Sequence, residues 1–234
     1  MSKSMYTDTD KDTVKRVYRN RFQGNESYRI QVWKVLVNRF FQSLIEDDDV
    51  VLDLGCGYGE FINRVRCRLR FAMDLNPGAR EWLDPAVIFL EHDCSSRWTL
   101  EPRSLDLVFS SNFFEHLPSR DHLLRTLGHA FEALKTGGIL VALGPNIRYI
   151  PGAYWDFFDH YLPLSDASLC EAMRIQGFEI ERVEPKFLPY TMSGGNRYPL
   201  PVIEIYLAIP ILWKIFGKQF LVIARKPPGE ESPG

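Results

Sequence analysis

Two hydrophobic periods succeed one another along this chain. Residues 26–45, "ESYRIQVWKVLVNRFFQSLI", place Ile30, Trp33, Val37, Phe40 and Leu44 at helical spacing, which predicts an amphipathic helix. The acids Asp47, Asp48 and Asp49 end it, and "VVLDLG" (50–55) follows as a buried strand. "EFINRVRCRL" (60–69) reads as a helix, and "RFAMDLNP" (70–77) as a second strand closed by Pro77. "VIFLEHD" (87–93) is a third strand, and "LDLVFSSNFFEHL" (105–117) a fourth that runs into a loop or helix. "RDHLLRTLGHAFEALKTGG" (120–138) predicts an amphipathic helix stopped by glycine after Lys135 and Thr136. "ILVALGP" (139–145) is a fifth strand, and "SDASLCEAMRIQGF" (165–178) a capped helix ending at Gly177. Strands at "EIERVEP" (179–185) and "QFLVIARK" (219–226) complete the pattern.

Strands alternating with helices predict an α/β fold: a doubly wound, mostly parallel sheet with helices on both faces. The C-terminal pair of strands adds an antiparallel edge. With 234 residues, 45% of them apolar, the chain suits one decorated domain. That domain is placed at 26–226, behind an N-terminal segment (1–25) that could serve as a lid. A disordered tail is expected at 227–234, from "KPPGEESPG". Between the last two strands an insertion, 189–218, is far longer than a hairpin needs. Its second half is strongly apolar but interrupted by Pro210, so it splits and does not span a bilayer. A core helix, a cap over a greasy acceptor, and a dimer or peripheral membrane contact through 200–217 are the readings. The cap or contact surface is favoured because "SGGNRYP" offers a glycine hinge.

Charge and cysteine usage narrow the class. The net charge of −2 gives no global field for nucleic acid, and "RVRCRLR" (64–70) is read as a solvated helix face. Cys56, Cys67, Cys94 and Cys170 are scattered; His92 beside Cys94 is too little for a metal site, and none is assigned. Reduced thiols and a polar N-terminus without an apolar core segment suggest a cytoplasmic protein.

The first strand-to-helix turn is where a parallel α/β sheet binds its ligand. Here it reads D-x-G-x-G-x-G, from Asp53 through Gly55 and Gly57 to Gly59, with Glu60 where a dinucleotide fingerprint has its third glycine. A pyrophosphate at a helix start disfavours nearby anions. Asp53 and Glu60 instead suit a ligand that is cationic at this end, one carrying an ammonium and a sulfonium. Asp74, at the end of the second strand, stands where a carboxylate accepts ribose hydroxyls, and Asp93 ends the third, in reach of an adenine amino group.

"VVLDLGCGYGEF", "FAMDLNP", "FLEHDCS", "LDLVFSSNFFEHL" and "KTGGILVALGPN" resemble the successive motifs of class I S-adenosylmethionine-dependent methyltransferases, in the small-molecule, type 11-like branch. The resemblance spans roughly residues 30–185. It implies a Rossmann-like, seven-stranded sheet with the last strand antiparallel, and S-adenosyl-L-methionine as cofactor. It also implies that Asp53, Gly55, Cys56, Gly57 and Gly59 surround the methionine part and that Asp74 holds the ribose. Leu75 and Asn76 would line the adenosine pocket, Asp93 and the Cys94 amide would hold the adenine, and backbone around Ser110 and Ser111 would face the amino-acid end.

Methyl transfer needs alignment, desolvation and, for a hydroxyl, removal of a proton. Candidates are His116 in "FFEHLP" and, if "WDFFDH" is helical, Asp156 with His160 as an oriented i,i+4 pair. Structural roles remain open for each: His116 as a loop-ordering residue, Asp156 and His160 as a surface pair beneath packed aromatics. Tyr18, Arg21, Phe22 and Trp33 are candidates for a closing N-terminal lid. The expectation is an enzyme that methylates a small-molecule or glycan- or lipid-linked acceptor, with a hydroxyl oxygen as target. "SSNFFEHL" lacks the Asn/Asp-Pro-Pro-Tyr motif of many nitrogen-specific branches. The rivals are a non-catalytic cofactor-binding module with a protein partner, a nicotinamide-dependent oxidoreductase, and a nucleic-acid methyltransferase.

Overall fold

The computed structural model describes residues 26–190 and 197–228. The lid candidates Tyr18, Arg21 and Phe22, most of the glycine hinge and most of the tail lie outside them. The helix α1 (Glu26–Arg39) leads through a 3₁₀ turn into β1 (Val50–Leu54), followed by β2 (Leu69–Asp74), β3 (Ile88–Glu91) and β4 (Leu105–Ser111). Then come α2 (Arg120–Ala133), β5 (Leu134–Pro145), α3 (Asp166–Ile175) and β6 (Glu179–Glu184). The helices α4 (Leu200–Ala208) and α5 (Pro210–Phe216) precede β7 (Gln219–Arg225).

The seven strands form one sheet in the order β3-β2-β1-β4-β5-β7-β6. β1 pairs in parallel with β2 and β4, while β7 is antiparallel to both β5 and β6. β1 is buried along its whole length, as expected of a central strand covered on both faces. Alternate residues divide between two cores. Val50, Leu52 and Leu54 pack with α2 and α3, whereas Val51 packs with α1, α4 and α5. Asp53 shares the Val51 side, so the strand's pleat aims its carboxylate toward the α1 face.

Caps fall where the sequence places them. Ser119 accepts the His122 N–H at the start of α2, and Ser165 with Ser168 forms a reciprocal box at the start of α3. Gly177 follows α3 with φ +92°, a conformation that side chains resist. Helix α2 ends earlier than its glycines suggest: Leu134 already begins β5 and pairs with Leu105. Its buried position on the sheet outweighs a further helical turn.

The helix expected over 60–69 is absent; turns replace it. Side chains intercept its backbone groups. Arg64 donates to the Glu60 carbonyl (2.5 Å), Arg70 to that of Ile62 (3.3 Å), and the Arg66 N–H goes to Gln42 (2.8 Å). The basic run therefore does not form a helix face. Phe61, Ile62 and Val65 are delivered into the core instead.

The 200–216 stretch divides at Pro210 as expected. Leu207 and Trp213 are buried with Phe187, the Tyr206 hydroxyl donates to the Phe187 carbonyl (2.6 Å), and the Trp213 indole donates to the Tyr206 carbonyl (2.8 Å). Val202, Ile205, Ile209, Ile211, Ile215 and Phe216 remain exposed. All four cysteines are free thiols. Among the described residues, no helix is long and apolar enough to cross a membrane.

Candidate functional site

Chain order reverses between β1 and β4, and a cleft opens at the carboxyl ends of these two neighbours. Asp53, Gly55, Cys56 and Gly57, from the end of β1, line it together with Ser111 and Asn112, from the end of β4. Arg29 and Trp33 reach in from α1, four residues apart on one helix face. The floor is aromatic: Phe61 stacks on Phe109 at 3.7 Å, and Trp33 meets Phe109 edge-on at 6.1 Å.

The glycine turn needs its glycines. Gly55, Gly57 and Gly59 all have positive φ (71°, 52° and 68°). At Gly55 a Cβ would also lie 2.2 Å from the Phe113 ring.

Acids crowd this turn. Asp53 is 4% exposed, and its pKa is driven well above the usual carboxylate range by burial and then by Glu60. Glu60 is also raised, again chiefly by burial, despite its ion pair with Arg29. Asp74 is raised by burial even though it accepts N–H groups from Gly57 (3.0 Å) and Asn76 (2.8 Å). Buried carboxylates with raised pKa values suit a cationic ligand, whose charge would restore their ionised form. That donor set fits an ammonium and a sulfonium and opposes a pyrophosphate.

The other expected binding residues, Ser111 aside, do not line the cleft. Asn76 caps a 3₁₀ turn by accepting the Gly78 N–H (3.0 Å), and half-buried Leu75 precedes it. Asp93 accepts the Ser95 N–H (2.9 Å) and hydroxyl (2.8 Å). The Cys94 thiol accepts from Thr126 (3.4 Å) inside the core, so only its backbone remains for a ligand. Ser110 turns inward and donates to the Leu54 carbonyl (3.0 Å), whereas Ser111 faces the cleft.

The same cleft is also lined by Glu115, His116, Phe157, His160 and Tyr190. His116 Nδ1 contacts the Asp159 carbonyl at 2.8 Å. A carbonyl only accepts, so Nδ1 carries the proton and a neutral His116 has its lone pair on Nε2, 4.0 Å from the Glu115 carboxylate. His160 stacks on Phe157 and meets the His116 ring edge-on, both at 4.9 Å.

The Asp156–His160 pair expected from sequence is not formed as proposed. Only Ala153–Asp156 makes a 3₁₀ turn, after which the chain is irregular, so Asp156 is exposed while His160 is buried in the cleft wall. Trp155 and Phe158 are likewise exposed; Tyr154 alone is fully buried, its hydroxyl donating to the Leu162 carbonyl and accepting the Leu164 N–H. Arg29, Tyr58, Asn112, Glu115 and Tyr190 were not singled out as site residues. The helical spacing of Arg29 and Trp33 and the acid beside His116 are signals that could have found two of them. No residue of 200–216 lines the cleft, which removes those helices as its cap in this conformation.

Residues 26–183 match a family model described as a methyltransferase domain. The chain belongs to that methyltransferase family. It is an enzyme of the class I fold, and its cofactor is S-adenosylmethionine. A search of curated proteins finds no match. Among solved structures, one is a chain of the complex between the Haloferax volcanii Trm112 methyltransferase activator and a methyltransferase. It is 20% identical, with 94% of this chain and 99% of that one covered and a TM-score of 0.66. A SAM-dependent methyltransferase from Archaeoglobus fulgidus is 22% identical over 88% of this chain and 99% of its own, with a TM-score of 0.64. The [4+2]-cyclase SpnF shares the fold too, at 18% identity, 86% and 81% coverage and a TM-score of 0.58. At such identities the likeness is one of fold, which by itself leaves the acceptor open.

Proposed function

We propose that this methyltransferase acts on a hydroxyl oxygen of a small-molecule or glycan- or lipid-linked acceptor held between the glycine turn and the Glu115–His116–His160 wall. The carrying observation is that Glu115, His116 and His160 line the same cleft as Asp53 and Glu60, the acids that favour a cationic ligand. When bound, S-adenosylmethionine supplies an electrophilic methyl group that needs no further activation. The chain must then align the acceptor, exclude water and dispose of one proton.

In this reading Asp53 and the Gly55 and Gly57 backbone hold the methionine end, with backbone around Ser111 opposite. Asp74 takes the ribose; its carboxylate has about four lone-pair sites, of which the Gly57 and Asn76 amides use two. Asp93 and the Cys94 amide take the adenine. His116 Nε2, directed at the acceptor side, receives or relays the hydroxyl proton.

A screen of alcohol acceptors with labelled methyl donor, read by product mass, tests the reading. O-methyl products are expected. His116→Ala and His160→Ala are expected to lose about 10²–10⁴-fold in turnover while binding S-adenosylhomocysteine normally. N-methyl products alone, or full turnover in both variants, would refute it.

The exposed apolar side of α4 and α5 supports a second element of the proposal, a contact surface for another protein or a second copy. Light scattering of wild type and Ile215→Lys tests it. A mass above the monomer that the variant loses is expected for self-association. A monomer in both, with no partner recovered, would count against it.

A further inference from the structure

The Glu115–His116–His160 part of the cleft has ligand chemistry of its own. Glu115, His116 and His160 each present a donor atom, and these atoms lie within 4.8 Å of one another. We propose that these three side chains bind a divalent first-row transition ion of the zinc, iron(II) or cobalt(II) type, and that the acceptor oxygen takes a position left open on that ion. The proposal rests on placing the acceptor in this cleft, and it refines how the hydroxyl is activated there.

Four observations carry it. The donor set is two imidazoles and one carboxylate, which suits such ions and leaves at least one position for a substrate or water. The His116 tautomer is fixed from behind: Nδ1–H is committed to the Asp159 carbonyl, with the Asp159 carboxylate also 3.2 Å away. Nε2 is thus the ligand atom, the arrangement by which outer partners orient metal-binding histidines. The two segments that supply the ligands are clamped together, since the Glu115 carbonyl accepts N–H groups from Tyr161 (2.9 Å) and Leu162 (3.1 Å). Finally, Glu115 is 2% exposed and His160 7%, so bulk water has little access to these two ligands.

The spacing is close to what an ion requires. Ligand bonds of about 2.0–2.2 Å put ligand atoms about 3–4 Å apart. The Glu115–His116 separation of 4.0 Å is already at that limit, and small side-chain adjustments close the rest. With the ion bound, His116 and His160 act as ligands, and this replaces the proton-accepting role that His116 has in the ion-free reading above. The acceptor R–OH, bound through oxygen, releases its proton to bulk water as it binds, before water is excluded. An oxygen lone pair then forms the new C–O bond as the methyl C–S bond breaks, and the sulfur keeps the electron pair to become a neutral thioether.

The test uses the full chain stripped with a chelator and titrated with Co(II), read by calorimetry and visible absorption. S-adenosylhomocysteine affinity is measured on the same samples. One Co(II) per chain is expected. Glu115→Gln, His160→Asn and His116→Asn should each weaken it at least about 100-fold, beyond the loss typical of outer-shell changes. S-adenosylhomocysteine should still bind, because Asp53, the Gly55 and Gly57 backbone and Asp74, which hold it in this reading, are unchanged. His116→Asn, at the half-buried position, serves if the two buried variants fail to fold. Adding acetohydroxamate should alter the Co(II) spectrum by filling the open position. Absence of saturable Co(II) binding by wild type, or equal affinity in the variants, would overturn the metal site; an unaltered spectrum would overturn the open position. Co(II) binding without S-adenosylhomocysteine binding would uphold the metal site and overturn the cofactor cleft on which its role depends.

Discussion

Asp53→Asn should make the free protein more stable and the cofactor complex weaker. Asp53 is buried beside Glu60, so its folded-state pKa lies well above the value in the unfolded chain. Between those two values the unfolded chain ionises while the folded one resists. Stability is therefore lost as pH rises from about 4, the unfolded value, through the folded pKa, and it stays lost above. Asparagine removes that penalty, about 1.4 kcal/mol for each unit of the shift. The same change removes a charge-assisted bond to a cationic ligand, about 1.5–3 kcal/mol, or roughly 10- to 150-fold in affinity. Urea unfolding at pH 7.5 and pH 4 measures the first effect, and calorimetry with S-adenosylhomocysteine the second. Affinity of the wild type should also weaken as pH falls through the folded pKa, with protons released on binding. A variant less stable at both pH values, or one with unchanged affinity, would refute the reasoning.

Other parts of the site make separate predictions. Arg29→Ala leaves the half-buried Glu60 without its ion pair and should cost about 1.5–3 kcal/mol in urea unfolding, the range for a hydrogen bond to a charged group. Gly55→Ala adds a left-handed penalty of about 1–2 kcal/mol to a clash with Phe113 worth about 1–3 kcal/mol. Adding Phe113→Ala should recover part of the second cost, and S-adenosylhomocysteine binding should be lost in the single variant. Trp213→Ala should destabilise by about 3–5 kcal/mol yet leave cofactor affinity unchanged, because the side chain packs on Phe187 away from the cleft. Thermal unfolding with and without S-adenosylhomocysteine separates these two outcomes.

The sheet was readable because its strands are apolar runs bounded by Asp, Gly and Pro, and the glycine turn because L side chains avoid its conformations. The 60–69 helix was misread because its arginines fit a helical face equally well; only the tertiary partners, such as Gln42 at the Arg66 N–H, decide otherwise. The i,i+4 inference at Asp156 and His160 failed for a related reason. It assumed a helix that stops after one 3₁₀ turn, and beside the local rings of Tyr154 and Phe157 His160 meets His116, from the loop after β4. A contact between residues more than forty positions apart leaves no periodic trace, so the Glu115–His116–His160 grouping became visible only in three dimensions.

A crystal structure with S-adenosylhomocysteine bound tests the central claim most directly. The account predicts the homocysteine end against Asp53, Gly55 and Gly57, with the sulfur facing Glu115, His116 and His160 across an opening sized for a hydroxyl. A sulfur turned away from those side chains, or a ligand seated elsewhere on the sheet, would contradict it.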